Sequence, residues 1–396
     1  MKTKFHKYLS IFRKLRGYTQ EDMACKLNVS GSVYASYERG TDTPDYVTLE
    51  NISNILQCTL DELFGRNGAH AYIYSDILQE EKADYGKDKR EKTLQNWKLA
   101  VGVQDFRFLR KRNALYVDKT RMIEEFLTSP YQVTLITRPR RFGKTLNMSM
   151  LAEFLDCTKE SAELFQGTQI SRSIYGQEMN QYPVVFLSFM NVKAGSAAGM
   201  LEQLGAVLHR EYERYLPVVN SQALSAEQLK AFHYIYQLLW PVENMDKLAD
   251  GILHSIPVLC RTLEICFKKK VILLMDEYDT PFLSANTNQY YGEVRDILAG
   301  MFSFALKGNP SLERAMLTGI QRAAKENIFS GLNNLVVCTV KDPEYEDCFG
   351  FTEEEVRYFL ESCHMSLTDD VKEMYDGYRI GSARVYNPWS VSCYAA

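Results

Sequence analysis

Apolar residues follow two different rhythms along this chain. Near the N-terminus Phe5, Tyr8, Leu9, Phe12 and Leu15 fall at helical spacing, the stripe that an amphipathic helix buries. Met23, Ala24 and Leu27 point inward from a second helix, which Thr19 caps with Asp22 in a variant capping box. A tight turn, Asn28–Ser30, leads to a third helix from Gly31 to Glu38, ended by Gly40. Two helices joined by so short a turn form a helix-turn-helix unit.

From about Leu99 the rhythm changes to strand-like apolar runs separated by amphipathic helical stretches. The strand candidates are Val133–Thr137, Val184–Phe189, Val271–Met275, Ala315–Ile320 and Val336–Val340. Strands spaced by long helical segments imply crossover connections and a parallel sheet covered on both faces. Between the two regions, residues 67–98 are poor in branched aliphatics and contain the mixed-charge run Glu80 to Lys92, the pattern of a linker or an exposed helix. The expected organisation is therefore multidomain. An all-α helix-turn-helix domain (1–66) and a charged linker (67–98) precede an α/β domain with a mainly parallel sheet (99–341). A helical C-terminal subdomain (342–396) completes it.

Composition narrows the class without naming a function. The 396 residues are 46% apolar and 24% charged, as in a water-soluble globular protein. The net charge of −4 argues against wholesale wrapping of nucleic acid, but residues 1–40 alone carry +5, a local surface suited to phosphates. Nine scattered cysteines with no C-x-x-C pair fit a reducing compartment and no structural zinc. No signal peptide and no membrane-length apolar run are legible, so the expected location is the cytoplasm. His209, His233 and His254 read as surface or satisfied core residues rather than metal ligands, Trp240 and Trp389 as packing anchors, and Cys260 and Cys266 as packing residues.

Candidate chemistry sits at two strand ends. "VTLITRPRRFGKTLNMSMLAEFL" reads as a strand, a loop and an amphipathic helix, with Gly143-Lys144-Thr145 closing the loop. That triplet ends a phosphate-binding loop, in which helix-start N–H groups cradle phosphates, Lys144 reaches the β- and γ-phosphates and Thr145 ligates Mg²⁺. The cradle is expected to comprise Arg138, Pro139, Arg140, Arg141, Phe142, Gly143, Lys144 and Thr145, with Arg138 where G-x-x-x-x-G-K-T has its first glycine. The triplet alone is a weak signal. Support comes from "VILLMDEYDTPF", an apolar strand ending in acids that are costly to bury unless they serve a metal or partner. Asp276 is expected in the Mg²⁺ shell, and Glu277 to orient or activate the attacking water. In "RAMLTGIQRAAKENIFSGLNN", Thr318 is a candidate sensor of the γ-phosphate and Arg322 a source of positive charge in cis; a structural role for either is the alternative.

Two resemblances extend this reading. "FRKLRGYTQEDMACKLNVSGSVYASYERGTDTPDYVTLENISNILQCTLDELFG" resembles the Cro/C1 phage-repressor-type helix-turn-helix. The resemblance implies a structural pair between Arg13 and Glu38, a phosphate contact at Gln20, and double-stranded DNA as partner. The expected DNA-facing positions are Gln20, Ser30, Gly31, Ser32 and Ser36. Gly31, Ser32 and Ser36, at the base-reading positions, lack the Arg, Asn or Gln side chains that bidentate readout uses, so strong sequence discrimination is not expected. The alternative is a helical protein-interaction module. An operator-style dimer fits the domain, with no dimer interface marked in the sequence.

The region from Leu99 to Val391 resembles the bacterial AAA-ATPase-like family, related to STAND-type and archaeal ATPases. The resemblance rests on "VGVQDFRFLRKRNALYVDKT", "RPRRFGKT", "MDEYDTPF", "LTGIQRAAKENIFSGLNNL", "FGFTEEEV" and "YDGYRIGSARVYNPWSV". It implies that "RPRRFGK" is the family's own phosphate loop and that Tyr116–Thr120 packs near adenine or the sheet edge. Relatives commonly continue into a restriction-endonuclease-like nuclease domain, for which no carboxylate–lysine constellation can be placed after Val391. The expected function is an ATP-binding, ATP-hydrolysing protein held on DNA by its helix-turn-helix domain, in regulation or defence against mobile DNA. A non-hydrolysing nucleotide-binding transcriptional regulator and a remnant of a longer ATPase–nuclease are the alternatives.

Overall fold

The computed structural model describes residues 5–15, 18–27, 29–56, 63, 99–221, 224–242, 244–320, 334–369, 371–372 and 376–396. The expected linker (67–98), Asn28 and Arg322 lie outside the described residues. The N-terminal helices belong to one compact unit, and Gly102–Trp389 form another. Among the described residues no helix is long and apolar enough to cross a membrane.

The N-terminal helices are α1 (Phe5–Leu15), α2 (Gln20–Leu27), α3 (Gly31–Arg39) and α4 (Tyr46–Leu56). Phe5, Leu9, Phe12, Met23 and Ala24 are buried with Tyr34, Tyr37, Ile52, Leu56 and Leu63, so the helical stripe closes a small core of its own. The side chains of Tyr8 and Leu15 lie outside the described residues. The capping box at α2 is formed: Thr19 N–H donates to Asp22 Oδ2 at 2.8 Å and Asp22 N–H to Thr19 Oγ1 at 3.1 Å. Ser30 caps α3 by accepting from Val33 N–H at 3.3 Å.

The second unit opens with α5 (Phe106–Lys111) and α6 (Arg121–Thr128). Five parallel strands follow: β1 (Val133–Thr137), β2 (Val184–Ser188), β3 (Val271–Asp276), β4 (Leu312–Gly319) and β5 (Leu335–Cys338). They lie in the order β2-β3-β4-β1-β5, and each expected strand is found within a few residues of its bounds. Alternate residues serve opposite faces. Leu135, Leu273, Met275 and Leu317 enter one core, and Ile136, Ile272, Leu274 and Met316 the other.

Helices α7 (Lys144–Leu155), α8 (Ala197–Ser221), α9 (Ala226–Leu239), α10 (Met245–Phe267), α11 (Thr280–Thr287) and α12 (Tyr291–Leu306) connect the strands. α8, α10 and α12 contribute to the first core and α5, α6 and α7 to the second. α7 corrects the sequence reading. Its buried residues include Lys144, Asn147, Met148, Met150, Leu151, Ala152, Glu153, Phe154 and Leu155, so it is enclosed on nearly every side rather than amphipathic.

Beyond β5 the chain forms α13 (Glu353–Ser362), an antiparallel hairpin of β6 (Asp376–Ile380) and β7 (Ala383–Tyr386), and α14 (Pro388–Ala395). The hairpin adds strands to a segment whose helices alone were anticipated. It is anchored by reciprocal backbone bonds between Phe351 and Tyr386 at 3.0 and 2.7 Å. Thr352 and Glu355 cap α13 as a capping box, and Glu355 also receives Lys119 Nζ at 2.6 Å. The Tyr116–Thr120 motif is thus a structural knot. Lys119 is buried against Glu355 and the Asp347 carbonyl, and Tyr116 O–H donates to Met150 Sδ at 3.1 Å.

Of the histidines, His209 stacks on Tyr236 at 4.2 Å and His254 on Phe304 at 5.3 Å. Cys260 is buried. Trp240 is about half exposed, at 47%.

Candidate nucleotide site and DNA-facing helices

The topology decides which residues meet. β4 lies between β1 and β3, so the loop after β1 and the acids after β3 are not neighbours on adjacent strands; the end of β4 stands between them. In chain order β1 is followed by the distant β2, while β4 is followed by β5 on the far side of β1. Ligands of open α/β sheets bind beyond the carboxyl ends of strands at such a reversal.

The loop leaves β1 through Arg138, which is fully buried. Its guanidinium donates to the carbonyls of Thr137 (3.0 Å), Cys338 (2.9 Å), Glu344 (3.2 Å) and Tyr345 (3.2 Å). Burial lowers its pKa. Counted from sequence among the nucleotide-contacting residues, Arg138 instead spends its side chain tying the root of the loop to β5 and residues 344–345. Its backbone is outside the left-handed region, so position 138 does not require glycine.

At the other end Gly143 has φ +79° and caps α7, a conformation costly for an L side chain. Lys144 follows at the first position of α7 and is buried, its Nζ donating to the carbonyls of Arg138 and Pro139 at 2.9 Å each. Burial lowers its pKa, opposed by Asp276, Glu277 and Asp279. Arg140 and Arg141 are exposed at the tip, and Phe142 between tip and helix is buried.

Thr145 Oγ1 donates to Asp276 Oδ2 at 2.8 Å, and Thr318 Oγ1 donates to Asp276 Oδ1 at 2.5 Å. Three segments distant in sequence therefore converge on one carboxylate, which is fully buried and whose pKa burial raises. A hydroxyl and a carboxylate are hard oxygen donors of the kind Mg²⁺ takes, with few protein ligands and the rest from water and phosphate. A cation beside Asp276 would also offset the burial penalty, so the residues fit the ion. Glu277 follows in the left-handed region with φ +54°, half-buried, accepting from Thr280 Oγ1 at 3.1 Å while its N–H donates to Thr318 Oγ1 at 3.4 Å. A residue in that region is held by its surroundings and is characteristic of functional loops. Thr280 was missed by sequence reasoning; its place three residues after Glu277 in "MDEYDTPF" was the available signal.

In the N-terminal helices the pair expected from the resemblance is formed. Arg13 Nε donates to Glu38 Oε1 at 2.6 Å, and Gln20 Nε2 to Glu38 Oε2 at 2.7 Å. Burial pushes the Glu38 carboxyl up, but the bonds from Arg13 and Gln20 outweigh it and hold the pKa below the usual value. The Gln20 amide nitrogen, expected at a DNA phosphate, is thus committed inside the domain. Ser30, Gly31 and Ser32 are exposed, the two hydroxyls 2.9 Å apart. Ser36 donates back to the Val33 carbonyl at 2.7 Å and so offers less to a base edge than expected. Lys26 and Arg39 are exposed cations of this unit.

Comparison with known proteins agrees with this division. Residues 100–329 match the family described as Predicted AAA-ATPase, and residues 9–63 match the Helix-turn-helix family. An Azotobacter chroococcum mcd 1 protein named for its place in the vnfD 5′ region is 28% identical over 297 residues, 74% of this chain and 51% of that one. The N-terminal segment is 48% identical over 59 residues to the HTH-type transcriptional regulator YqaE of Bacillus subtilis (strain 168), covering 15% of this chain and 51% of the regulator. It is 35% identical over 72 residues to the regulator ImmR of the same organism, 18% of this chain and 57% of that protein. The chain thus spans about half the length of these relatives. No solved structure matches it significantly.

Proposed function

The chain belongs to the predicted AAA-ATPase family and carries a helix-turn-helix DNA-binding domain, and we propose that it is a Mg²⁺-dependent ATPase held on double-stranded DNA by that domain. The observation that carries the reading is the convergence of Thr145 and Thr318 on the two oxygens of Asp276. Nothing in the packing of a parallel sheet demands a buried carboxylate there, and its burial is costly without a cation.

In this reading Lys144 exchanges its two loop carbonyls for the β- and γ-phosphate oxygens of ATP. Thr145 and Asp276 hold Mg²⁺, which supplies neutralisation of the charge that develops on the phosphoryl oxygens. Glu277 orients the attacking water and takes up its proton, with Thr280 fixing one carboxylate oxygen. Thr318, already bonded to Asp276, lies at the end of β4 beside both groups and reports the γ-phosphate to the metal-side carboxylate. On the DNA side, the exposed start of α3 presents hydroxyls and backbone rather than long readers. Phosphate contacts should therefore dominate, with affinity falling steeply with salt and weak dependence on sequence.

A regulator that binds nucleotide without turning it over is favoured by one finding, the transcriptional regulators among the relatives of the N-terminal segment. Equilibrium binding of ATP, with Mg²⁺ and with EDTA, to the wild type and Asp276→Asn tests the shared part of both readings. Tight binding that needs Mg²⁺ and Asp276 supports them, and equal binding under all conditions removes the proposed metal site.

A further inference from the structure

The tip of the phosphate loop is held from outside by residues on both sides of α13, Gly350 before it and the β6–β7 hairpin with Asn387–Trp389 after it. Phe142, 1% exposed, packs with Ile380 and Val385 of the β6–β7 hairpin and meets Tyr378 edge-on at 4.8 Å. Gly350 N–H donates to the Phe142 carbonyl at 3.3 Å. A Cβ on Gly350 (φ +94°) would stand 3.2 Å from the Phe142 ring and 3.0 Å from Val385. Asn387 faces two ways, donating Nδ2 to the Arg140 carbonyl at 3.4 Å and accepting from Trp389 N–H at 3.0 Å. The Arg141 guanidinium lies 4.0 Å from the centroid of the Trp389 ring.

Arg141 carries the unusual backbone of the tip, and its side chain meets Trp389. Its φ is +68°, a conformation disfavoured for a side chain of its kind and retained where neighbours impose it. Its guanidinium is an exposed charge at the loop tip that would otherwise sample many rotamers, and the aromatic face restricts it. The loop therefore has two separate anchorages: Arg138 fixes its root from inside, and the hairpin with the Asn387–Trp389 segment fixes its tip.

We infer that Trp389 is a positioning residue of the nucleotide site: by holding Arg141 it keeps the phosphate loop in the shape that receives the triphosphate. The inference rests on reading the loop as an ATP site and adds to it a residue that no phosphate-loop motif contains. Linkage makes the effect reciprocal. Whatever the clamp contributes to ATP affinity, bound ATP returns as added order in the hairpin and in Asn387–Trp389.

The test uses the full chain and calorimetric titration with ATP·Mg²⁺ of the wild type, Trp389→Ala, Trp389→Tyr, Arg141→Ala and the Arg141/Trp389 double alanine variant. Trp389 is only partly buried, so its alanine variant is expected to fold, and thermal unfolding of each variant checks this. Trp389→Ala and Arg141→Ala should each weaken binding roughly three- to tenfold. The double variant should be no weaker than the worse single one, because the two residues act as a unit. Trp389→Tyr should recover most of the affinity. Amide exchange in residues 376–387 should slow on adding ATP·Mg²⁺ to the wild type and slow less in Trp389→Ala.

Unchanged affinity in Trp389→Ala overturns the inference, and so do additive losses in the double variant, since Arg141 would then act without Trp389. Should Trp389→Ala prove misfolded, the Trp389→Tyr and Arg141→Ala titrations with the exchange comparison decide, and absence of nucleotide-dependent protection overturns it. Failure of the wild type to bind ATP·Mg²⁺ overturns the ATP reading itself, a distinct result that removes this inference with it.

Discussion

The hydroxyl of Thr318 donates to Oδ1 of Asp276 at 2.5 Å, joining the ends of two neighbouring strands. The bond satisfies one oxygen of a carboxylate that water does not reach. Thr318→Val keeps the shape and removes the donor, which should cost about 1–3 kcal/mol and lower the unfolding temperature of the nucleotide-free protein. Thr318→Ser should retain most of the stability. Equal unfolding temperatures for valine and threonine would show that the bond contributes nothing.

Asp276 gives a pH-dependent prediction. Burial raises its pKa, so the folded state binds this proton more tightly than the unfolded chain does. The group's contribution to stability is then full below the ordinary carboxyl range and is lost as pH rises through the raised pKa. Without Mg²⁺ or nucleotide, Asp276→Asn should unfold at a higher temperature than the wild type near neutral pH, by roughly 2–4 °C for each kcal/mol recovered. The difference should shrink on acidification. An asparagine variant that is less stable at pH 7 and gains nothing relative to the wild type as pH rises would contradict this account.

Arg138 offers a test against sequence consensus. Arg138→Gly restores the first glycine of the phosphate-loop pattern but removes the donors to four carbonyls and empties a buried volume. It should destabilise the protein by about 3 kcal/mol or more. Arg138→Lys should do only partly better, because an ammonium cannot span the same carbonyls as a planar guanidinium. Chemical denaturation of the three proteins would decide, with an unaltered glycine variant contradicting the tether.

The strands were legible because a parallel sheet buried on both faces leaves short, nearly uninterrupted apolar runs, as in Val271–Asp276. The meeting of Thr145 and Thr318 with Asp276 was legible because polar residues at the ends of apolar strands stand out. Helix α7 was misread because its polar positions are also buried: Asn147 donates to the Cys348 carbonyl at 2.8 Å and Glu153 receives Arg107 at 2.9 Å. Sequence could not separate a phosphate-facing arginine from a tethering one, since Arg138, Arg140 and Arg141 occupy one loop and differ only in where the fold turns them. The same holds for Gln20, whose amide serves Glu38. The β6–β7 hairpin has strands of five and four residues, too short for an alternating pattern to stand out.

The N-terminal domain should respond to acid through Glu38. Its folded pKa is depressed by Arg13 and Gln20, so its contribution is present above the ordinary glutamate range and is lost as pH falls through the folded value. Amide protection in α1–α3, expressed relative to the intrinsic exchange rate at each pH and followed in the full chain, should fall below about pH 4.5 in the wild type and vary less with pH in Glu38→Gln. Arg13→Ala leaves a largely buried carboxylate without its cation and should cost about 2 kcal/mol at neutral pH. Identical exchange profiles in wild type and Glu38→Gln would assign acid sensitivity elsewhere.

The proposed function requires that Lys144, Asp276 and Glu277 form a working nucleotide site. The most direct measurement is Mg²⁺-dependent release of phosphate from ATP by the purified full chain, with and without duplex DNA, beside Lys144→Ala and Glu277→Gln. The wild type should turn ATP over, and both substitutions should reduce turnover at least a hundredfold, while Glu277→Gln still binds ATP. Turnover that survives both substitutions, or a wild type that binds ATP·Mg²⁺ and releases no phosphate with or without DNA, would contradict the proposed function.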